Sequence, residues 1–170
     1  MKREIYAIVA LLSMCGAVSS HQFEKDGLVI GDPWTRATPE GAKAGAGYLT
    51  ITNKGKDTDK LTGGTFEGAA QVQIHEMKMD GDKMTMRQLP DGLEIKPGAT
   101  ITFAPGSYHL MFLGLTKPIA KGANAKGSLS FEKAGNVDVS YKVEDIGAMK
   151  SSDAPSMKSD APKMMHDHMQ

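Results

Sequence analysis

Between residues 21 and 146, apolar and polar positions alternate in short runs, and each run is closed by a turn signal. Residues 48–52 end at Asn53-Lys54-Gly55, and residues 72–77 run to Asp80-Gly81. Residues 100–103 lie between Pro97-Gly98 and Pro105-Gly106, while residues 128–131 and 137–143 alternate cleanly. A two-residue period with β-branched and aromatic residues predicts half-buried strands. Residues 108–115 are almost continuously apolar, the pattern of a strand buried on both faces. No stretch in this region carries a helical period with caps. The pattern therefore predicts one all-β domain over 21–147, a sandwich or a barrel.

The two ends read differently. Lys2 and Arg3 precede an apolar run over residues 5–14, and Ala17-Val18-Ser19-Ser20 offers small residues for cleavage. This is the layout of a secretory signal peptide over 1–20, too short to span a bilayer, and it predicts a periplasmic protein with no membrane span. Acylation of Cys15 is the alternative, disfavoured by the bulky Met14 before it. Past Gly147, a polar repeat appears: residues 149–155 are echoed by 157–162, and the chain ends in Met164-Met165-His166-Asp167-His168-Met169. Such a composition buries too little apolar surface to order itself, so 148–170 is expected to be a disordered tail tipped with metal ligands.

Composition narrows the function. Lys+Arg and Asp+Glu are both 20, which leaves no basic field for nucleic acid. The one cysteine leaves with the leader. A mature chain without thiol has no disulfide, no dithiol redox chemistry and no blue-copper centre, which needs a thiolate. The full chain carries five histidines and twelve methionines, and all five histidines and ten of the methionines lie past residue 20. Imidazole plus thioether suits Cu(I), since soft sulfur selects it while zinc and hard cations call for thiolates or carboxylates.

Two clusters hold these donors in the domain. His75, Met77 and Met79 are spaced by two and share a strand face, as do His109 and Met111. With Asp80-Gly81 as the turn of a hairpin, Met79 pairs with Asp82, Met77 with Met84 and His75 with Met86. A turn one residue later, at Gly81-Asp82, pairs Met77 with Met86 instead. Methionine is common core filler, but this hairpin also carries Glu76, Lys78, Asp80, Asp82, Lys83 and Arg87. Apolar side chains clustered on so charged a surface mark a functional site. Trp34 and Arg36 are expected to serve packing and a surface ion pair, and Glu76 and Lys78 to form a solvated face.

The order His75, ten residues, Met86, then His109-Leu110-Met111 resembles the signature of the periplasmic copper chaperones called PCu(A)C. Gly31-Asp32-Pro33-Trp34, Gly45-Ala46-Gly47-Tyr48-Leu49, His75-Glu76-Met77 and Pro105-Gly106-Ser107-Tyr108-His109 match the surrounding text, and the likeness covers about 24–146. What the resemblance implies is a cupredoxin-like sandwich holding one Cu(I) with His75, Met86, His109 and Met111 as ligands. It implies copper delivery to cytochrome c oxidase subunit II, often alongside a Sco-type protein. Met77 and Met84 are candidate accessory ligands. So are His21, which would be the mature N-terminus, and Met164, Met165, His166, His168 and Met169, where the histidines suit Cu(II). A copper-handling protein without enzymatic activity is expected, as a monomer. Scavenging for copper uptake or tolerance is the competing reading, and a copper enzyme built on His21 ranks below both.

Overall fold

The computed structural model describes residues 22–152. The predicted leader, His21 and the donors of the tail tip lie outside the described residues. Among those described, there are eleven strands and no helix. They are β1 (Gln22–Lys25), β2 (Leu28–Arg36), β3 (Ala44–Asn53), β4 (Asp59–Phe66), β5 (Gln71–Asp80), β6 (Lys83–Gln88), β7 (Leu93–Ile95), β8 (Thr100–Phe103), β9 (His109–Leu113), β10 (Asn124–Phe131) and β11 (Gly135–Glu144). Hydrogen bonding runs in the order β6-β5-β9-β3-β2-β11-β10-β4-β7, with β1 on β2 and β8 on β3. All pairs are antiparallel except β11 with β2, where Lys142, Val143 and Glu144 lie against Trp34, Thr35 and Arg36. The architecture is the expected cupredoxin-like β-sandwich.

The path curls round one core. Leu28, Ile30, Leu49, Ile51, Leu61 and Leu129 are at most 2% exposed within it. Phe112 stacks on Phe66 with ring centroids 3.8 Å apart, and Tyr141 meets both rings edge-on at 5.5 Å. Gly47 makes room for that stack: a Cβ there would lie 2.4 Å from Phe112 Cζ. The Tyr141 hydroxyl is buried without a hydrogen-bond partner among the described residues, and burial raises its pKa far above the usual phenol value.

The strand at β9 corrects one expectation. Leu110 and Phe112 are wholly buried, whereas Met111 and Leu113 are half-buried on the other face. The run is apolar because one face builds the core and the other carries His109 and Met111, not because both faces meet hydrocarbon. β2 carries Gly31-Asp32-Pro33 inside a strand, and its pairing with β3 slips between Gly31 and Trp34. A bulge is where a sheet accepts proline.

The expected end of the domain at Gly147 lies within a segment that remains attached. Arg36 Nε donates to the Ala148 carbonyl at 2.7 Å, and the Ser152 amide donates to Glu144 Oε1 at 2.9 Å. Arg36 thus holds the chain leaving β11, with its guanidinium carbon 5.6 Å from the Tyr48 ring centroid, in place of the expected surface ion pair. Trp34 packs as expected, 6% exposed and 4.4 Å from the Tyr48 ring.

Candidate metal centre

Three adjacent strands build one outward face. β5 pairs with β9 so that His75 lies directly opposite His109, and Gln73 opposite Met111. Directly opposed residues share a face, so His75, His109, Gln73 and Met111 project together. β6 flanks β5 on its other side. There Met77 opposes Met86, Met79 opposes Met84 and His75 opposes Gln88.

This register corrects the favoured expectation that His75 pairs with Met86. The loop is Gly81-Asp82, closed by Asp80 and Lys83. Gly81 has φ +60° and takes the first central position, the one a type II′ turn reserves for glycine. The ladder slides by one residue, and Met86 becomes diagonal to His75. All four methionines still face the side of the histidines, because the pairing keeps their parity.

The side chains converge despite the slip. His109 Nε2 lies 3.3 Å from Met86 Sδ, and the His75 and His109 ring centroids are 5.7 Å apart. Both imidazoles are nearly closed off, at 9% and 7% exposed, while Met86 is 54% exposed. The centre is a sheet surface roofed by a thioether.

Hydrogen bonds fix which nitrogens are free. His109 Nδ1–H donates to the Ser107 carbonyl at 3.1 Å, leaving Nε2 with its lone pair toward the sulfur. In a neutral ring of that tautomer, Nε2 and the sulfur are both electron-pair donors. His75 Nε2–H donates to Gln73 Oε1 at 2.9 Å, and its Nδ1 is buried with no partner among the described residues. Orienting partners of this kind set the tautomer of metal-binding imidazoles. Burial, and then the nearby His109, hold the His75 pKa below its usual value, so the neutral, ligating form is favoured. Among the described residues no three of His, Cys, Asp and Glu gather as a metal-binding group. The further soft donors on this face are thioethers.

Of the accessory candidates, Met77 and Met84 lie on this face, Met77 beside Met86 and Met84 toward the turn. Glu76 is not simply solvated: Arg87 Nε donates to its Oε1 at 2.9 Å on the opposite face of the hairpin. Gln73 was missed by sequence reasoning. A polar residue two before a strand histidine was the available signal. An open apolar groove borders Met111, lined by Pro39, Ala42, Ala46 and Ile146.

Comparison with known proteins places the fold. Residues 28–143 match the LpqE-like family profile, described as "Putative lipoprotein LpqE-like". "Putative lipoprotein Lxx21020" of Leifsonia xyli subsp. xyli (strain CTCB07) is 30% identical over 123 residues, covering 72% of this chain and 73% of that protein. Among solved structures, the copper-bound PCuAC domain from PmoF2 is 28% identical with a TM-score of 0.62, covering 74% of this chain and 98% of that one. The apo PmoF2 PCuAC domain is 27% identical with a TM-score of 0.65, covering 77% and 100%. The chain therefore belongs to the LpqE-like family and has the fold of a PCuAC domain.

Proposed function

We propose that this chain is an extracytoplasmic copper metallochaperone that carries one Cu(I) on His75, Met86, His109 and Met111. The observation that carries the reading is the approach of His109 Nε2 to Met86 Sδ at 3.3 Å, a nitrogen and a soft sulfur brought together where one cation can take both. The orphaned, buried Nδ1 of His75 on the neighbouring strand supports a second imidazole donor. Met111, half-buried and opposite Gln73, completes a two-imidazole, two-thioether set that suits Cu(I). The copper-bound state of the PmoF2 relative supports copper as the cargo. The chain is a binding protein rather than an enzyme, in keeping with its family.

Met86 lies at the surface, so an acceptor's ligand can displace it while the imidazoles still hold the ion. That order of exchange suits delivery. The proposed acceptor is the copper centre of cytochrome c oxidase subunit II, reached directly or through a Sco-type protein. His21 and the tail donors Met164, Met165, His166, His168 and Met169 are proposed to take a second ion as Cu(II), with Met77 and Met84 as accessory donors at the core.

X-ray absorption on the Cu(I)-loaded full chain tests the core. Two nitrogen and two sulfur neighbours are expected. One sulfur should be lost in Met86→Ala and one nitrogen in His109→Ala. A shell unchanged in both variants would overturn the assignment. Transfer of copper to the isolated oxidase domain tests delivery; a copper-sensitive deletion strain with normal oxidase would favour a scavenging role instead. The lipoprotein description of the relatives favours a second reading of the leader, in which Cys15 is acylated and anchors the domain to a membrane. Mass spectrometry of the mature N-terminus distinguishes a lipid-modified Cys15 from a free His21.

A further inference from the structure

The β5–β6 hairpin holds more sulfur than the core set uses. Met77 faces Met86, and Met79 faces Met84 one step nearer the turn. The Met77 amide donates to the Ser107 carbonyl at 3.2 Å, across the edge of β5 remote from β6. Met77–Met86 is therefore a non-hydrogen-bonded pair of the antiparallel ladder, and so, two residues on, is Met79–Met84. Such pairs are the narrow ones, with Cα atoms about 4.5 Å apart and side chains close.

These thioethers are not core filler. Met79 and Met84 are each 56% exposed and Met86 is 54% exposed. They are three of the five large apolar side chains exposed among the described residues. β6 is also an edge strand, where exposed apolar side chains invite unwanted pairing. Lys78 and Lys83 offset Asp80 and Asp82 in formal charge, so the turn offers no net field for a cation. What distinguishes this face is neutral, polarisable sulfur, which selects soft ions.

We propose that Met79 and Met84, backed by Met77, form a second, thioether-only site for a soft monovalent cation, and that the four sulfurs make a ladder between solvent and the His75–His109 centre. The proposal rests on the core reading above, since the ladder needs a destination. Successive pairs on one face are roughly 6.8 Å apart, and methionine arms with three rotatable bonds flex toward one another across that gap. Cu(I) moves along the ladder by ligand exchange with no change of oxidation state. No proton is released, because a thioether has none to lose. With neither imidazole nor charge, the outer site binds more weakly than the core and fills after it.

Ag(I), a redox-inert soft monovalent ion, is the probe. The full chain is labelled at its methionine methyl carbons, with resonances assigned from single Met→Leu variants, and titrated while methyl and imidazole signals are followed. The first equivalent is expected to move both imidazoles with Met86 and Met111, and later equivalents Met79 and Met84. Met79→Leu, which breaks the outer pair without touching a residue assigned to the core, should remove the later event at the hairpin, leave the first, and slow Cu(I) release to a competing chelator several-fold at unchanged core affinity. If Met79 and Met84 stay unmoved through three equivalents while Met86 and Met111 respond, this proposal is overturned and the core stands. If Met79 and Met84 respond but neither imidazole does, the core reading is overturned, and the ladder with it.

Discussion

At the scale of single residues, one dihedral angle decides what His75 faces. Asp26-Gly27 places both central residues at positive φ, 50° and 82°, as a type I′ loop requires. The same dipeptide at 80–81 does not repeat this. Only Gly81 is left-handed, so it becomes the first loop residue and Asp82 the second. The sequence supports both loops, because Asp-Gly satisfies I′ and Gly-Asp satisfies II′. That is why the shared face of the candidate residues was legible while their pairing was not. Asp59 makes a different point. Buried and 7% exposed, its carboxylate accepts from the amides of Lys60, Lys133 and Ala134 at 2.7, 2.9 and 3.0 Å, tying the start of β4 to the β10–β11 turn. Burial alone would raise its pKa, but the three amides and the Lys133 charge outweigh it and hold the value below normal. A depressed carboxylate pKa stabilises the fold above the unfolded-state value and loses that effect as pH falls through the folded one. Asp59→Asn is therefore expected to cost about 1–3 kcal/mol at neutral pH. The gap to wild type should close in acid, below the ordinary carboxylate range. Urea unfolding at several pH values measures it, and a gap independent of pH would refute the charge argument.

At the scale of elements, β9 joins the core to the candidate metal centre. Its inner face supplies Leu110 and Phe112, and its outer face His109 and Met111. Phe112 lies between the Phe66 ring and the bare Cα of Gly47, so a shift of that ring displaces the strand bearing two proposed ligands. Gly47→Ala is expected to destabilise by about 1–3 kcal/mol, as overpacking does, and to weaken Cu(I) binding without touching a donor. Thermal melts with a competing Cu(I) chelator read both effects. Tyr141 predicts the reverse. Its hydroxyl is buried without a partner, so Tyr141→Phe should leave the melting temperature unchanged or raise it, a gain of up to roughly 1–3 kcal/mol. Clear destabilisation would show that the hydroxyl has a partner. Strands with clean alternation were legible: β8 has the predicted limits, and β10 and β11 contain the predicted runs. β2 and β4 were not, because Gly31-Asp32-Pro33 in one and Gly63-Gly64 in the other break the two-residue period. Tertiary pairing holds those segments extended where local preference does not.

At the scale of the whole molecule, the sheet order could not be read from periodicity. Nothing local tells β9 to insert between β5 and β3, yet that insertion sets His109 against His75. A strand carrying His109 and Met111 beside the hairpin brings the two clusters together, but nothing in the hairpin itself requires that neighbour. The same order has a practical consequence. Extending the β3–β9 register by one residue puts Tyr48 beside His109, and Trp34 lies opposite Tyr48 on the next strand. The chain's single indole is thus two strands, roughly 10 Å, from His109. Cuprous loading should dim its ultraviolet emission without any attached dye, and His109→Ala should abolish that response. The domain would then carry its own optical gauge of cargo, readable during handover to an acceptor.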